Sequence, residues 1–158
     1  MQATIPVILT FTATALNGVL AGASLDQSIK QLPARRRIGS IAFSAYSRAA
    51  DLSNNGIAWY AFIGVSSALV TIAAAVATFV SGSVFTQRLP ILIAAILSLL
   101  HSIATSQAAP ANFSQRKVTN DEVALTLVYN RFDRWQTVRV ILQVLTFFVL
   151  LWAIFMLG

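Results

Sequence analysis

The chain contains no cysteine. Disulfides, thiolate nucleophiles, iron–sulfur clusters and thiolate metal sites are therefore excluded. Charge is scarce as well: Asp, Glu, Lys and Arg together make up 10% of the residues, where a soluble domain carries about 25%. Five residues are acidic and one is histidine. A single His without clustered carboxylates makes a poor metal site, since structural zinc takes four N or S ligands. Proline and glycine number four and seven, which leaves long stretches without a helix breaker.

What the chain has in quantity is apolar residues, 57% of the total, with a mean hydropathy of +0.74. They gather in four stretches, Thr4–Ser24, Ile57–Val80, Leu89–Ala109 and Thr137–Leu157. Each matches the roughly 20 residues with which a helix crosses about 30 Å of hydrocarbon. Every Lys and Arg except Arg88 lies in or beside the segments Leu25–Gly56 and Pro110–Gln136. Cytoplasmic loops collect Lys and Arg, so these two segments are expected in the cytoplasm. Both termini and the Ser81–Arg88 turn are expected outside, in a plasma or inner membrane. The net charge of +6 is then read as orientation and attraction to anionic lipid headgroups, not as nucleic-acid binding.

Residues 1–158 are read as one membrane domain. The small residues Ala21-Gly22-Ala23 imitate a signal-peptide cleavage site, but Met1–Pro6 carries no basic residue and Thr10, Thr12, Thr14 and Asn17 interrupt the apolar run. A signal peptide has a basic start and a clean apolar middle, so the first span is expected to be retained. Gly18 and Gly22 form a GxxxG pair, read as helix packing within the bundle. Between the first two spans, Ile38, Ile41, Ala45, Ala49 and Leu52 recur at helical spacing and predict a short amphipathic helix in the headgroup plane. Asn54-Asn55-Gly56 is expected to break the chain before the second span, and the third span to end before Pro110. Thr119 followed by Glu122 reads as a capping box. With no Gly or Pro from Thr119 to Leu157, one helix of roughly 37 residues, about 55 Å, is predicted. The fold class is all-α: a four-helix transmembrane bundle with an interfacial amphipathic helix and an extended fourth helix.

Polar residues recur at one depth. Counted from the basic end of each span, Asn17, His101, Gln143 and Ser67 fall into a layer roughly 9–15 Å below the boundary. Polar groups at that depth turn into the bundle, where they form either a pocket or interhelical hydrogen-bond glue. His101 alone among them can move a proton near neutral pH. Nearer the mouth lie Asp26, Arg48, Asp51, Arg131, Asp133, Arg134 and Arg139. Arg139 stands one turn before Gln143, and Asp51 and Asp26 are its expected salt-bridge partners.

Three runs carry a resemblance: Leu16-Asn17-Gly18-Val19-Leu20-Ala21-Gly22, Tyr46-Ser47-Arg48-Ala49-Ala50-Asp51, and Asn130-Arg131-Phe132-Asp133-Arg134-Trp135-Gln136-Thr137-Val138-Arg139. The chain resembles a family of small four-helix membrane proteins named for anthrone-oxygenase-like members, which oxidise polycyclic phenolic anthrones to anthraquinones. Gln136 takes the place of an Asn in that pattern. The resemblance implies roles for Asn17, Arg134, Trp135 and Arg139.

Two functions follow as expectations. In the first, an apolar aromatic or quinone-like molecule enters from the bilayer and is bound or oxidised. His101 and Asn17 are then the catalytic candidates, and Arg139, Gln143, Arg134, Trp135 and Ser67 line the ligand site; no cofactor is specified. In the second, the chain is a non-catalytic accessory or assembly subunit of a larger membrane complex, docking through Phe147, Phe148, Trp152 and Phe155. A transporter or channel finds no acidic residue within the spans to build an ion pathway.

Overall fold

The computed structural model describes residues 4–157, and every regular element among them is helical. Helix α1 (Ile5–Asp26) runs through one π-helical turn (Gln27–Gln31) into α2 (Leu32–Ile38). A short helix α3 (Ser40–Ala49) follows, then α4 (Asn54–Val80), α5 (Phe85–Phe113) with a 3-10 turn (Ser114–Lys117), and α6 (Glu122–Leu157). The α1–α2 rod, α4, α5 with its turn, and α6 are long and apolar enough to cross a membrane. The molecule is an integral membrane protein built as a four-helix bundle.

Proline placement shapes the rods. The ring of Pro33 has no N–H and crowds the carbonyl of Ile29, and the widened π turn just before it relieves that clash. The helix thus continues to Ile38 instead of stopping after Ser24. Gly39 ends it with φ 84° and ψ 157°, a backbone state open essentially to glycine alone. Pro110 does not end the third span as expected: it lies inside α5 and removes only the single bond to the carbonyl of Ser106 near the last turn. Nor do Asn54-Asn55-Gly56 break the chain. They form the first turn of α4, capped by Ser53 Oγ, which accepts from Gly56 N at 3.0 Å.

Small residues set the packing of the apolar half. Ala13, Ala74, Ala75, Ala94, Ala95 and Ala153 are buried together with Ile91 and Leu150, letting the backbones approach closely. Gly18 serves the same end inside the bundle. A Cβ there would lie 3.0 Å from the Phe147 ring of α6, whereas Gly22 has nothing within 4 Å.

At the basic end, α3 is turned opposite to a helix resting on water. Its Ser40, Phe43, Ser44 and Ser47 are buried, while Ile41 and Tyr46 are 40% and 49% exposed. Ile38, Ala45 and Ala49 of the predicted stripe face outward with them, and only Leu52 turns in. Ser40 Oγ pairs with Thr126 Oγ1 at 2.9 Å, and the other two buried serines find their partner in Gln115. Its Oε1 accepts from Ser44 Oγ at 3.0 Å and from the Tyr129 hydroxyl at 2.7 Å, and its Nε2 donates to Asn112 Oδ1 and Ser47 Oγ.

Helix α6 is continuous, as its sequence predicts, but its cap lies elsewhere. Asp121 Oδ1, not Thr119, accepts from Ala124 N at 2.9 Å. Glu122 leaves its own helix and accepts from the backbone N–H groups of Ser40 at 2.6 Å and Ile41 at 3.0 Å, capping α3. Those two donors hold its carboxyl below the ordinary value of 4.5. A carboxylate lowered in the folded state contributes stability above its unfolded pKa, lost as the pH falls through the folded value. Glu122→Gln should therefore lower the unfolding midpoint at neutral pH, and the deficit should vanish in acid. Equal midpoints at neutral pH would show that the cap does nothing.

Candidate functional site

All four rods contribute to the wall of a cavity of about 440 Å³ at the basic end. Its wall is mostly apolar, with Leu20, Ile57, Ala61, Val65 and Phe132 among the lining residues. Val65, Leu69 and Ser102 line it and are also exposed on the outside of the bundle. The cavity therefore opens sideways between α4 and α5, toward the lipid-facing surface. Eight polar residues interrupt this wall: Gln27, Asp51, Tyr60, His101, Ser102, Thr105, Asn112 and Arg139. A largely apolar concavity with a few converging polar groups is the usual form of a small-molecule site.

Arg139 enters from α6. Its Nε donates to Thr105 Oγ1 at 3.0 Å and its Nη1 to Gln136 Oε1 at 2.8 Å. Both acceptors are neutral. The salt bridges expected from Asp26 and Asp51 do not form: Asp26 pairs with Lys30 and Gln31, and Asp51 accepts from Gln27 Nε2 at 3.3 Å. The reason is geometric, since Asp26 has its i+4 lysine beside it and Asp51 sits on the α3–α4 connector. The guanidinium charge thus stands in the cavity wall without a carboxylate.

His101 belongs to the same wall. It is 7% exposed, and its Nε2 is buried with no hydrogen-bond partner. An unmade hydrogen bond on a buried polar atom costs about 1–3 kcal/mol, and a bound group at this point would remove that cost.

The polar layer read from the sequence divides in two. Asn17 Nδ2 donates to Thr71 Oγ1 at 3.0 Å and to Ala13 O, while Gln143 Nε2 donates to Asn17 Oδ1 at 2.7 Å. Thr71 in turn donates to Ser67 O at 2.6 Å. This network ties α1, α4 and α6 together, and none of its four members lines the cavity. Interhelical hydrogen bonds of this kind contribute about 0.6 kcal/mol each in membranes. Asn17, Gln143 and Ser67 thus sit together, apart from His101 and Arg139. Arg134 is exposed, and Trp135 packs against the cluster of Leu32, Phe43 and Phe132.

Sequence reasoning missed Gln27 and gave Asp51 a different role. The connector carrying Asp51 is fixed from two sides. Arg116 Nη2 donates to Leu52 O at 2.6 Å, and a Cβ on Gly56 would lie 2.3 Å from Ala50 O. The signal for the second contact was the glycine in the first turn of an otherwise apolar helix.

No protein-family model, curated protein or solved structure matches this chain.

Proposed function

We propose that this protein binds an apolar aromatic molecule carrying an acidic or carbonyl oxygen, taken from the bilayer through the opening between α4 and α5. The observation that carries the reading is the cation of Arg139, bonded only to neutral groups, in the same apolar cavity as the unused Nε2 of His101. The apolar wall suits fused rings, and the guanidinium fork suits an oxygen anion. In the catalytic form of this reading, which the resemblance to anthrone oxygenases implies, His101 Nε2 exchanges a proton with the bound ring, as a general base within hydrogen-bond reach does. The basic end, where the cavity lies, faces the cytoplasm in this proposal.

The test is calorimetric titration of 2-naphthoate into the protein in lipid nanodiscs, against empty nanodiscs and with naphthalene as the neutral control. Saturable binding of naphthoate is expected, weakened about tenfold by His101→Leu through loss of one charge-assisted hydrogen bond. Signal no greater than in empty nanodiscs would refute the reading. A second reading, an accessory subunit of a membrane complex, draws on Phe148 and Phe155 of α6, which are 61% and 80% exposed.

A further inference from the structure

We infer that the cavity is built for a two-ended ligand: an aromatic molecule whose acidic or carbonyl oxygen meets Arg139 and His101, and whose hydroxyl at the far end donates to Asp51. This inference rests on the ligand-binding reading above and narrows it.

It starts from two opposite charges that share a cavity and do not pair. Asp51 and Arg139 both line it, yet the ion pairs among the described residues are Lys30–Asp26 and Arg35–Asp133. Opposite charges attract strongly where water is sparse. Here the backbone holds them apart. Asp51 is carried by a connector pinned by Arg116 and pressed against Gly56, and Arg139 is anchored by Thr105 and Gln136. Each end also has unused capacity. A carboxylate offers about four acceptor positions, and Asp51 receives one long side-chain bond of 3.3 Å from Gln27. Arg139 spends Nε and Nη1 and keeps its remaining donors. Tyr60 of α4 lines the same cavity and adds an aromatic side chain to its wall.

Asp51 is moreover not placed for stability. Burial pushes its carboxyl above the ordinary value of 3.8, and the Gln27 bond offsets this only in part. A carboxyl raised in the folded state weakens the fold as the pH rises through that value. Tyr60, His101 and Arg139 are the other ionisable groups on the cavity wall, and none of them is within ion-pair distance of Asp51. Asp51→Asn is therefore expected to raise the unfolding midpoint near neutral pH and to leave it unchanged in strong acid.

The experiment compares 2-naphthoate with 6-hydroxy-2-naphthoate, which adds a hydroxyl across the fused rings, in nanodiscs by calorimetry. The wild type should prefer the hydroxylated probe by about tenfold, the equivalent of one hydrogen bond to a charged acceptor. In Asp51→Ala the ratio of the two affinities should fall to about one, with the unfolding midpoint confirming a folded bundle. Equal affinities in the wild type, or a preference that survives Asp51→Ala, would overturn the two-ended ligand and leave the single-ended site standing. Failure of both probes to bind the wild type would overturn both readings.

Discussion

Gly56→Ala is expected to destabilise the protein by about 3 kcal/mol, the upper end of what overpacking costs. A Cβ at this position would lie 2.3 Å from Ala50 O and 2.8 Å from Asp51 O. Both obstacles are backbone atoms, so no side chain can rotate away. Ala50 O is also fixed from its other side, accepting from Ser53 Oγ at 2.8 Å and Ser53 N at 3.3 Å. The connector would have to lift, carrying Asp51 and Leu52 out of the cavity wall. Gly22→Ala is the control, because nothing lies within 4 Å of its Cβ position. Alanine is normally favoured over glycine within a helix by roughly 0.5–1 kcal/mol, so Gly22→Ala should be neutral or stabilising. Thermal unfolding in detergent compares the two, and similar midpoints would mean that the connector is not held as described.

Arg139→Gln should weaken binding of 2-naphthoate by about 100-fold. Truncating one partner of a buried, hydrogen-bonded charge pair costs about 2–5 kcal/mol, and each 1.4 kcal/mol is about tenfold. The loss should be confined to the anion, with neutral 2-naphthol losing far less affinity. That contrast separates loss of the charge from disturbance of the helix packing, which would affect both probes equally. Arg139→Lys should fall between, because lysine keeps the charge but cannot bond Thr105 and Gln136 while also presenting a fork to the ligand. Parallel losses for naphthoate and naphthol would assign Arg139 to packing between α5 and α6.

The spans were legible because their signal is composition and length, which local sequence carries in full. The same holds for α6, whose 36 residues lack any breaker. The cap of α6 was misread because Thr119 and Glu122 satisfy a local spacing rule, whereas Glu122 meets the start of α3, more than 80 residues away in the chain. The depth of Asn17, His101 and Gln143 was readable from the rise of a helix. Their division between two gaps of the bundle was not, because depth along an axis says nothing about which neighbour a side chain faces. The apolar stripe of α3 was legible, and it faces outward as a helix in the headgroup plane requires; that the opposite, serine-bearing face packs into the protein was not. That packing depends on Gln115 and Tyr129, and no local pattern announces them. Arg139 was identified as important while its partners were not: charge complementarity suggested Asp26 or Asp51, and the fold supplied Thr105 and Gln136.

Native mass spectrometry of the protein, extracted gently from its own membranes, tests most directly whether the cavity is a ligand site. A co-purifying small molecule, aromatic and oxygen-bearing, is expected at one copy per chain in the wild type and absent from Arg139→Gln. Stoichiometric protein partners with no bound small molecule would contradict a ligand site, and would make this chain a subunit whose Arg139 and His101 face an empty gap.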